Sequence, residues 1–71
     1  MYHNVYYAWV SNDQGASADV EGREHSRRKI EDAARSQFGA GWTVHVMCVD
    51  VDSQGGGVFG VSEINSFRLR K

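Results

Sequence analysis

The sequence predicts an α+β domain in which one helix packs on one face of a three- or four-stranded, largely antiparallel sheet. One stretch has the period of an amphipathic helix, and several others are rich in β-branched and aromatic residues, with turn-forming residues between them. The expected element order is β-α-β-β, with a further short strand as an option, in two layers. Because the chain has 71 residues, we expect a single domain spanning 1–71 with one small core.

The first predicted strand spans residues 2–10, which are dense in aromatic and β-branched side chains. Both alternating sets of side chains are apolar along much of it. This pattern is typical of a strand that is covered on both faces or packed against a partner chain. Residues 11–17 are polar and turn-forming, so they are expected to form a loop that leads to the helix.

The helix is the organising element, predicted up to residue 38 and closed by glycine. Its apolar stripe, about 140° wide, is one-sided. The stripe consists of Ile30, Ala33, Ala34, Gln37 and Phe38. Opposite charges at i,i+4 spacing face solvent, as in the pairs Arg27–Glu31, Arg28–Asp32 and Glu31–Arg35. Gly39 stands where a helix commonly takes a left-handed C′ residue, and Gly41 permits a second sharp change of direction.

The start of the helix has two candidate positions. Ser26 is a favourable N-cap residue, but three cations follow it at the positive end of the helix dipole. A start within residues 19–23 instead places Glu21 and Glu24 in the first turn, which the dipole favours. The earlier start is therefore the predicted one.

The second half of the chain predicts a hairpin. Residues 42–51 alternate between two largely apolar faces, one with Trp42, Val44, Val46 and Cys48 and the other with Thr43, His45, Met47, Val49 and Val51. Residues 52–57 form the expected glycine-rich turn, and residues 58–61 return as a strand. Residues 67–70 alternate like a half-exposed strand end. Residues 62–66 are either a turn or a bulge within one long bent strand.

Composition excludes several classes of protein. The chain is 41% apolar and 24% charged, which argues against disorder. Cys48 is the single cysteine, so no internal disulfide is expected and a reducing compartment is favoured. No charged-then-apolar leader opens the sequence, and no run of about 18 apolar residues occurs in it. We therefore expect a cytoplasmic protein without a membrane partner.

Candidate metal and catalytic motifs are weak, so no metal site, cofactor or catalytic residue is predicted and the chain is interpreted as non-enzymatic. Residues 50–55 match the first positions of a calcium-binding loop. However, Val61 occupies the position of the bidentate glutamate, so an acidic hairpin tip is favoured. His45 and Cys48 are three apart on a strand and should face opposite ways. Residues 55–57 lack the lysine and hydroxyl of a phosphate loop, and no serine lies in a nucleophile elbow.

The basic residues are the one group of side chains in the sequence that suggests a binding function, although the net charge of the chain is −1. Paired, solvated surface charges are the ordinary explanation for such residues. The functional alternative is contact with an acidic protein surface or with phosphates. The candidate contact residues are Arg27, Arg28, Lys29, Arg35, Arg68, Arg70 and Lys71.

The aromatic and apolar side chains exceed what one helix can cover. The second face of the sheet would expose tyrosine, tryptophan, methionine or valine side chains unless something packs on it. Homodimerisation through that face or through an edge strand is the preferred explanation. A small-molecule site lined by aromatic residues between subunits is a further alternative.

In size and layout the chain resembles small inhibitor proteins of bacteriophages and other mobile elements, including some anti-CRISPR proteins. The shared features are a first strand like residues 2–10, a polar loop, an alanine-bearing helix like residues 29–38, and a strand and hairpin like residues 42–61. The resemblance implies an inhibitor in the host cytoplasm that masks a site on a larger protein or nucleoprotein defence complex. A small nucleic-acid-binding module, using the basic helix and C-terminal strand, is the alternative function.

Overall fold

A computed structural model describes residues 2–52 and 58–70 of the chain. One helix packs on a four-stranded antiparallel sheet, which confirms the predicted α+β class. The elements are β1 (Tyr2–Ser11), β2 (Ser17–Asp19), α1 (Arg27–Gln37), β3 (Thr43–Asp52) and β4 (Val58–Arg68). The short fourth strand therefore precedes the helix, where the sequence predicts only a loop that runs into it.

The sheet has the order β2-β1-β3-β4, and each neighbouring pair is antiparallel. Beyond β2 the chain continues along the same edge of β1. The Val20 N–H donates to the Ala8 carbonyl at 3.0 Å, and Glu24 and Tyr6 exchange two backbone hydrogen bonds of 2.7 and 3.0 Å. Gly22 takes a φ of 97° in the extra stretch between these contacts, a conformation that favours glycine.

This edge pairing explains why the predicted helix start within residues 19–23 is wrong. Backbone groups of residues 17–20 and of Glu24 bond to β1, and those of Glu21 bond to the Gln37 side chain, so they cannot also form helical turns. The helix begins at Arg27, after Ser26 in an extended conformation that forms no side-chain cap hydrogen bond. The first turn consequently has no acidic residue to complement the dipole.

The helix ends at Gln37, one residue earlier than predicted. Phe38 is the C-cap in an extended conformation, and its N–H donates to the Ala34 carbonyl at 3.0 Å. Gly39 is not left-handed, so its predicted role is wrong. Gly41 does adopt a φ of 97°, as the predicted change of direction requires.

The core lies between the helix and the middle of the sheet. Ile30 and Ala34 project from the helix onto Val10, Val44 and Val46, and all five are essentially inaccessible to solvent. Burying each of the larger aliphatic side chains contributes about 1.5–3 kcal/mol. The remaining buried core residues are Ala8, Val20 and Leu69. Gln37 extends this packing to the sheet edge, where its carboxamide accepts from the Glu21 N–H at 2.7 Å and donates to the Glu21 carbonyl at 3.0 Å.

Strand β4 resolves the alternatives left for residues 62–66 in favour of one long strand. Val46 pairs with Asn65 and Met47 with Glu63, so Ile64 is the extra residue of a bulge. On its outer side β4 is an edge of the sheet. Residues 53–57 of the predicted glycine-rich turn, and with them half of the calcium-like stretch 50–55, lie outside the described residues.

The face of the sheet opposite the helix is called the open face here. Strand register places alternate residues of β1, β3 and β4 side by side on it. They are Val5, Tyr7, Trp9, Ser11, Thr43, His45, Met47, Val49, Val61, Glu63, Ser66 and Arg68. The two faces predicted for residues 42–51 are thus confirmed, with Val44 and Val46 under the helix and His45 opposite them.

Candidate functional site

A groove rich in arginine lies between the C-terminal end of α1 and the last residues of β4. It has a volume of about 620 Å³ and opens to solvent. This basic groove is lined by Arg35, Phe38, Gly39, Ala40, Phe67, Arg68, Leu69 and Arg70. Three of the seven predicted contact residues, far apart in sequence, therefore share one surface with two phenylalanine rings.

Leu69 fixes the shape of the groove. Its side chain is buried in the core, its N–H donates to the Trp42 carbonyl at 2.8 Å, and its carbonyl accepts from the Gly41 N–H at 3.2 Å. The neighbouring Arg68 and Arg70 are both exposed. Burial of one residue thus holds the two flanking arginines at the surface.

Arg35 forms the helix side of the groove. Its Cζ lies over the Phe67 ring, 4.9 Å from the centroid, and its Nη1 lies 3.1 Å from Oδ1 of Asp32. The predicted partner of Arg35 is Glu31, the residue before Asp32 in the helix, so this prediction is wrong. A cation over an aromatic face at an exposed site gains about 0.5–1 kcal/mol. The stack orients the guanidinium and leaves part of it in solvent.

The other two arginines differ in their charge balance. Arg68 makes a two-pronged contact with Asp13, at 2.9 Å from Nη2 to Oδ2 and 3.5 Å from Nη1 to Oδ1. Arg70 forms no ion pair with any other residue in the described ranges. Arg68 lines the groove, but its side chain is turned to the open face and to Asp13. Three arginines against the two paired aspartates still leave a local excess of positive charge.

The remaining predicted contact residues do not join the groove. Arg27 lies at the opposite end of α1 and pairs with Glu31, with 2.9 Å from Nε to Oε2, as predicted. Arg28 and Lys29 are exposed in the same turn. Asp32 pairs with Arg35, and no described contact joins it to Arg28. Lys71 lies outside the described residues.

A second polar cluster, which the sequence analysis did not identify, crosses the open face. His45 Nε2 lies 2.9 Å from Ser11 Oγ, and His45 Nδ1 lies 2.7 Å from Glu63 Oε1. The indole of Trp9 stacks on the imidazole with centroids 3.9 Å apart and an interplanar angle of 13°. We call this set of four residues the histidine cluster.

Cys48 lies on the helix side of the sheet, opposite to His45, as predicted. Burial, followed by the nearby Asp50 carboxylate, raises the pKa of its thiol above the usual 9.0, while a hydrogen bond with Tyr6 partly offsets the rise. The thiol is therefore kept in its weakly nucleophilic, protonated form.

Within residues 2–52 and 58–70, no group of three or more histidine, cysteine, aspartate or glutamate side chains converges in a way that would bind a metal ion. The one helix in these ranges is neither long nor apolar enough to span a bilayer.

Comparisons with protein-family models, curated proteins and solved structures find no match to the chain.

Proposed function

We propose that the protein is an interaction module that binds an acidic surface of a partner protein through the basic groove. The observation that carries this proposal is the convergence of Arg35, Arg68 and Arg70 beside two phenylalanine rings. Guanidinium groups bind carboxylates through paired, charge-assisted hydrogen bonds, and arginine and aromatic side chains are enriched at protein interfaces. Such a surface needs no catalytic residue.

The charge balance of the groove favours a protein over a nucleic acid. Asp13 and Asp32 already pair with two of the three arginines. They would repel a continuous line of phosphates, whereas a protein surface can offer a few carboxylates that match the arginines and avoid the aspartates. The chain also has a net charge of −1, while dedicated nucleic-acid domains are typically basic.

The inhibitory role implied by the resemblance is a more specific form of the same proposal. An inhibitor that masks a site on a host defence complex acts by covering a surface, and the basic groove would supply its contact. Host cytoplasm would be the corresponding location. The groove supports binding of an acidic surface in general, and the masking role remains a prediction.

The binding proposal is tested with a fluorescein-labelled deca-glutamate peptide and fluorescence anisotropy at low ionic strength. Arg70→Glu is expected to weaken binding about tenfold, since a charge-assisted hydrogen bond contributes about 1.5–3 kcal/mol. Lys29→Glu is the matched control, because it makes the same charge change at an exposed site at the other end of the helix. Equal losses in both variants would show a general charge effect and contradict the proposal.

A small nucleic-acid-binding module is the second candidate, favoured by the guanidinium of Arg35 over Phe67. Cationic and aromatic side chains side by side are typical of single-stranded nucleic-acid sites. In the same assay, two labelled single-stranded oligonucleotides, one of DNA and one of RNA, replace the peptide. Tighter binding to either, with a steep loss of affinity as salt rises, would place this function first. No association would remove it.

A further inference from the structure

We propose that Ser11, His45 and Glu63 form a hydrogen-bonded relay that activates the Ser11 hydroxyl as a nucleophile toward small activated esters. The three groups are in contact in the order that a serine nucleophile, a general base and an orienting carboxylate require. Nε2 of the imidazole lies 2.9 Å from the hydroxyl oxygen, and Nδ1 lies 2.7 Å from the carboxylate oxygen. None of these three residues lines the basic groove.

The chemistry of the partners assigns the direction of both hydrogen bonds. An ionised glutamate accepts hydrogen bonds but cannot donate them, so Nδ1 of a neutral His45 carries the proton and donates to Glu63. Nε2 then presents its lone pair, and the Ser11 hydroxyl donates to it. A histidine in this tautomer is ready to take the hydroxyl proton, and the carboxylate stabilises the imidazolium that forms.

The sheet and the Trp9 ring hold the relay in place. Trp9 and His45 are directly opposite one another in the β1–β3 register, so their rings stack. The imidazole is thereby fixed between an indole and two hydrogen-bond partners, with only 18% of the His45 side chain exposed. Ser11 is the last residue of β1 and is half-buried, which leaves its oxygen within reach of a small molecule.

The reaction is acyl transfer followed by hydrolysis. The Ser11 oxygen forms a bond to the ester carbonyl carbon while its proton passes to Nε2 of His45. The tetrahedral adduct then breaks its bond to the leaving oxygen. Nitrophenolate departs as the anion, and the proton on Nε2 passes to bulk water. The same nitrogen then deprotonates a water that attacks the acyl carbon, and it returns this proton to the Ser11 oxygen as the acid is released. General-base assistance of this kind raises the reaction rate about 10²–10⁴-fold. The proposal departs from the expectation that the chain lacks catalytic residues.

The substrate class is restricted to activated esters by the surroundings of Ser11. Backbone N–H groups of β1 and β3 are engaged in a continuous ladder over ten residue pairs. An oxyanion would therefore find few free donors, and unactivated esters and amides depend on such donors. A nitrophenyl ester has a leaving group good enough to react with general-base help alone.

The test is acetylation of the full chain by p-nitrophenyl acetate, with nitrophenol release followed by absorbance. Intact mass and peptide mapping locate the acetyl group. We expect a burst of nitrophenol and an acetyl group on Ser11, both lost in Ser11→Ala. Ser17→Ala is the matched control, because Ser17 is the exposed residue opposite Ser11 in the β1–β2 register. This variant should react like the unaltered chain.

His45→Gln separates an activated serine from one that is merely exposed. This variant should acetylate Ser11 about 100-fold or more slowly, because the general base is absent. Circular dichroism and a thermal melt establish whether it is folded. If it is not, the unaltered chain in urea serves instead, and its Ser11 should react as slowly as a free serine. Acetylation at other residues, or an unchanged Ser11 rate in either comparison, would overturn the proposal.

Discussion

The guanidinium of Arg35 lies over the ring of Phe67, so a helix residue and a strand residue together form one wall of the basic groove. The two residues are 32 positions apart in sequence. It also combines charge with an aromatic face, which is the character that the proposed binding function requires. Several consequences of this and other contacts can be measured.

Arg35→Lys should lower the free energy of unfolding by about 0.5–1 kcal/mol, because lysine keeps the charge but loses the guanidinium that lies over Phe67. Urea unfolding measures the difference. Arg28→Lys is the control, since Arg28 is exposed on the same helix and no aromatic contact is described for it. An equal effect in the two variants would show that the stack contributes nothing.

Gly41→Ala and Gly39→Ala form a matched pair. A Cβ at either position meets no atom within 4 Å, but Gly41 alone of the two has a positive φ, at 97°. Alanine at Gly41 should therefore cost about 1–2 kcal/mol from backbone strain, whereas alanine at Gly39 should be neutral or slightly stabilising. Thermal melts of the two variants measure this. Similar melting temperatures would contradict the described backbone.

The Cys48 thiol should make stability fall in alkaline solution. Its pKa in the folded chain is raised above 9.0 by burial and by Asp50. Well below pH 9.0 the thiol is protonated in both states and has no effect. As the pH rises further, the unfolded thiol ionises first, so unfolding becomes more favourable until the pH passes the folded-state pKa.

Urea unfolding at about pH 7 and about pH 10 measures this linkage, because the usual pKa lies between them. Cys48→Ala is the control, since other titrating groups remain in it. The unaltered chain should lose more stability than this variant over the interval. A loss of the same size in both would contradict the raised pKa.

Homodimerisation is tested through the edge of the sheet. Val61 and Ile64 are 52% and 41% exposed and both lie on the edge strand β4. Sedimentation at micromolar concentration should show a dimer, and Val61→Lys should convert it to a monomer, because a lysine on an edge opposes strand pairing. Gln14→Lys, in an exposed turn, should leave the dimer intact. A monomeric unaltered chain would refute the predicted dimer.

Local patterns predicted most of the fold. Ile30, Ala34 and Phe38 follow the period of a helix that packs on one side, and Val44 and Val46 alternate as residues of a buried strand do. The helix start was mispredicted because Glu21 and Glu24 suit the positive end of a dipole. The Glu24 backbone instead bonds to Tyr6 of β1, and the Glu21 backbone bonds to the Gln37 side chain. Both depend on tertiary context that helix preferences do not contain.

The sites were less predictable than the fold. The sequence identifies Arg35, Arg68 and Arg70 as candidate contact residues. That they line one groove depends on the burial of Leu69 in the core. Ser11, His45 and Glu63 lie on three different strands, and only strand register brings them together. Register is set by pairing across strands, so the spacing of these three residues along the sequence carries no signal.

The most direct test of the proposed function is a titration of the ¹⁵N-labelled chain with the deca-glutamate peptide, followed by amide chemical shifts. The proposed function predicts that the largest shifts occur at Arg35, Phe38 and residues 67–70, and that Arg70→Glu reduces them. The largest shifts at Arg27–Lys29 or across the open face would contradict it, as would no shifts at low salt.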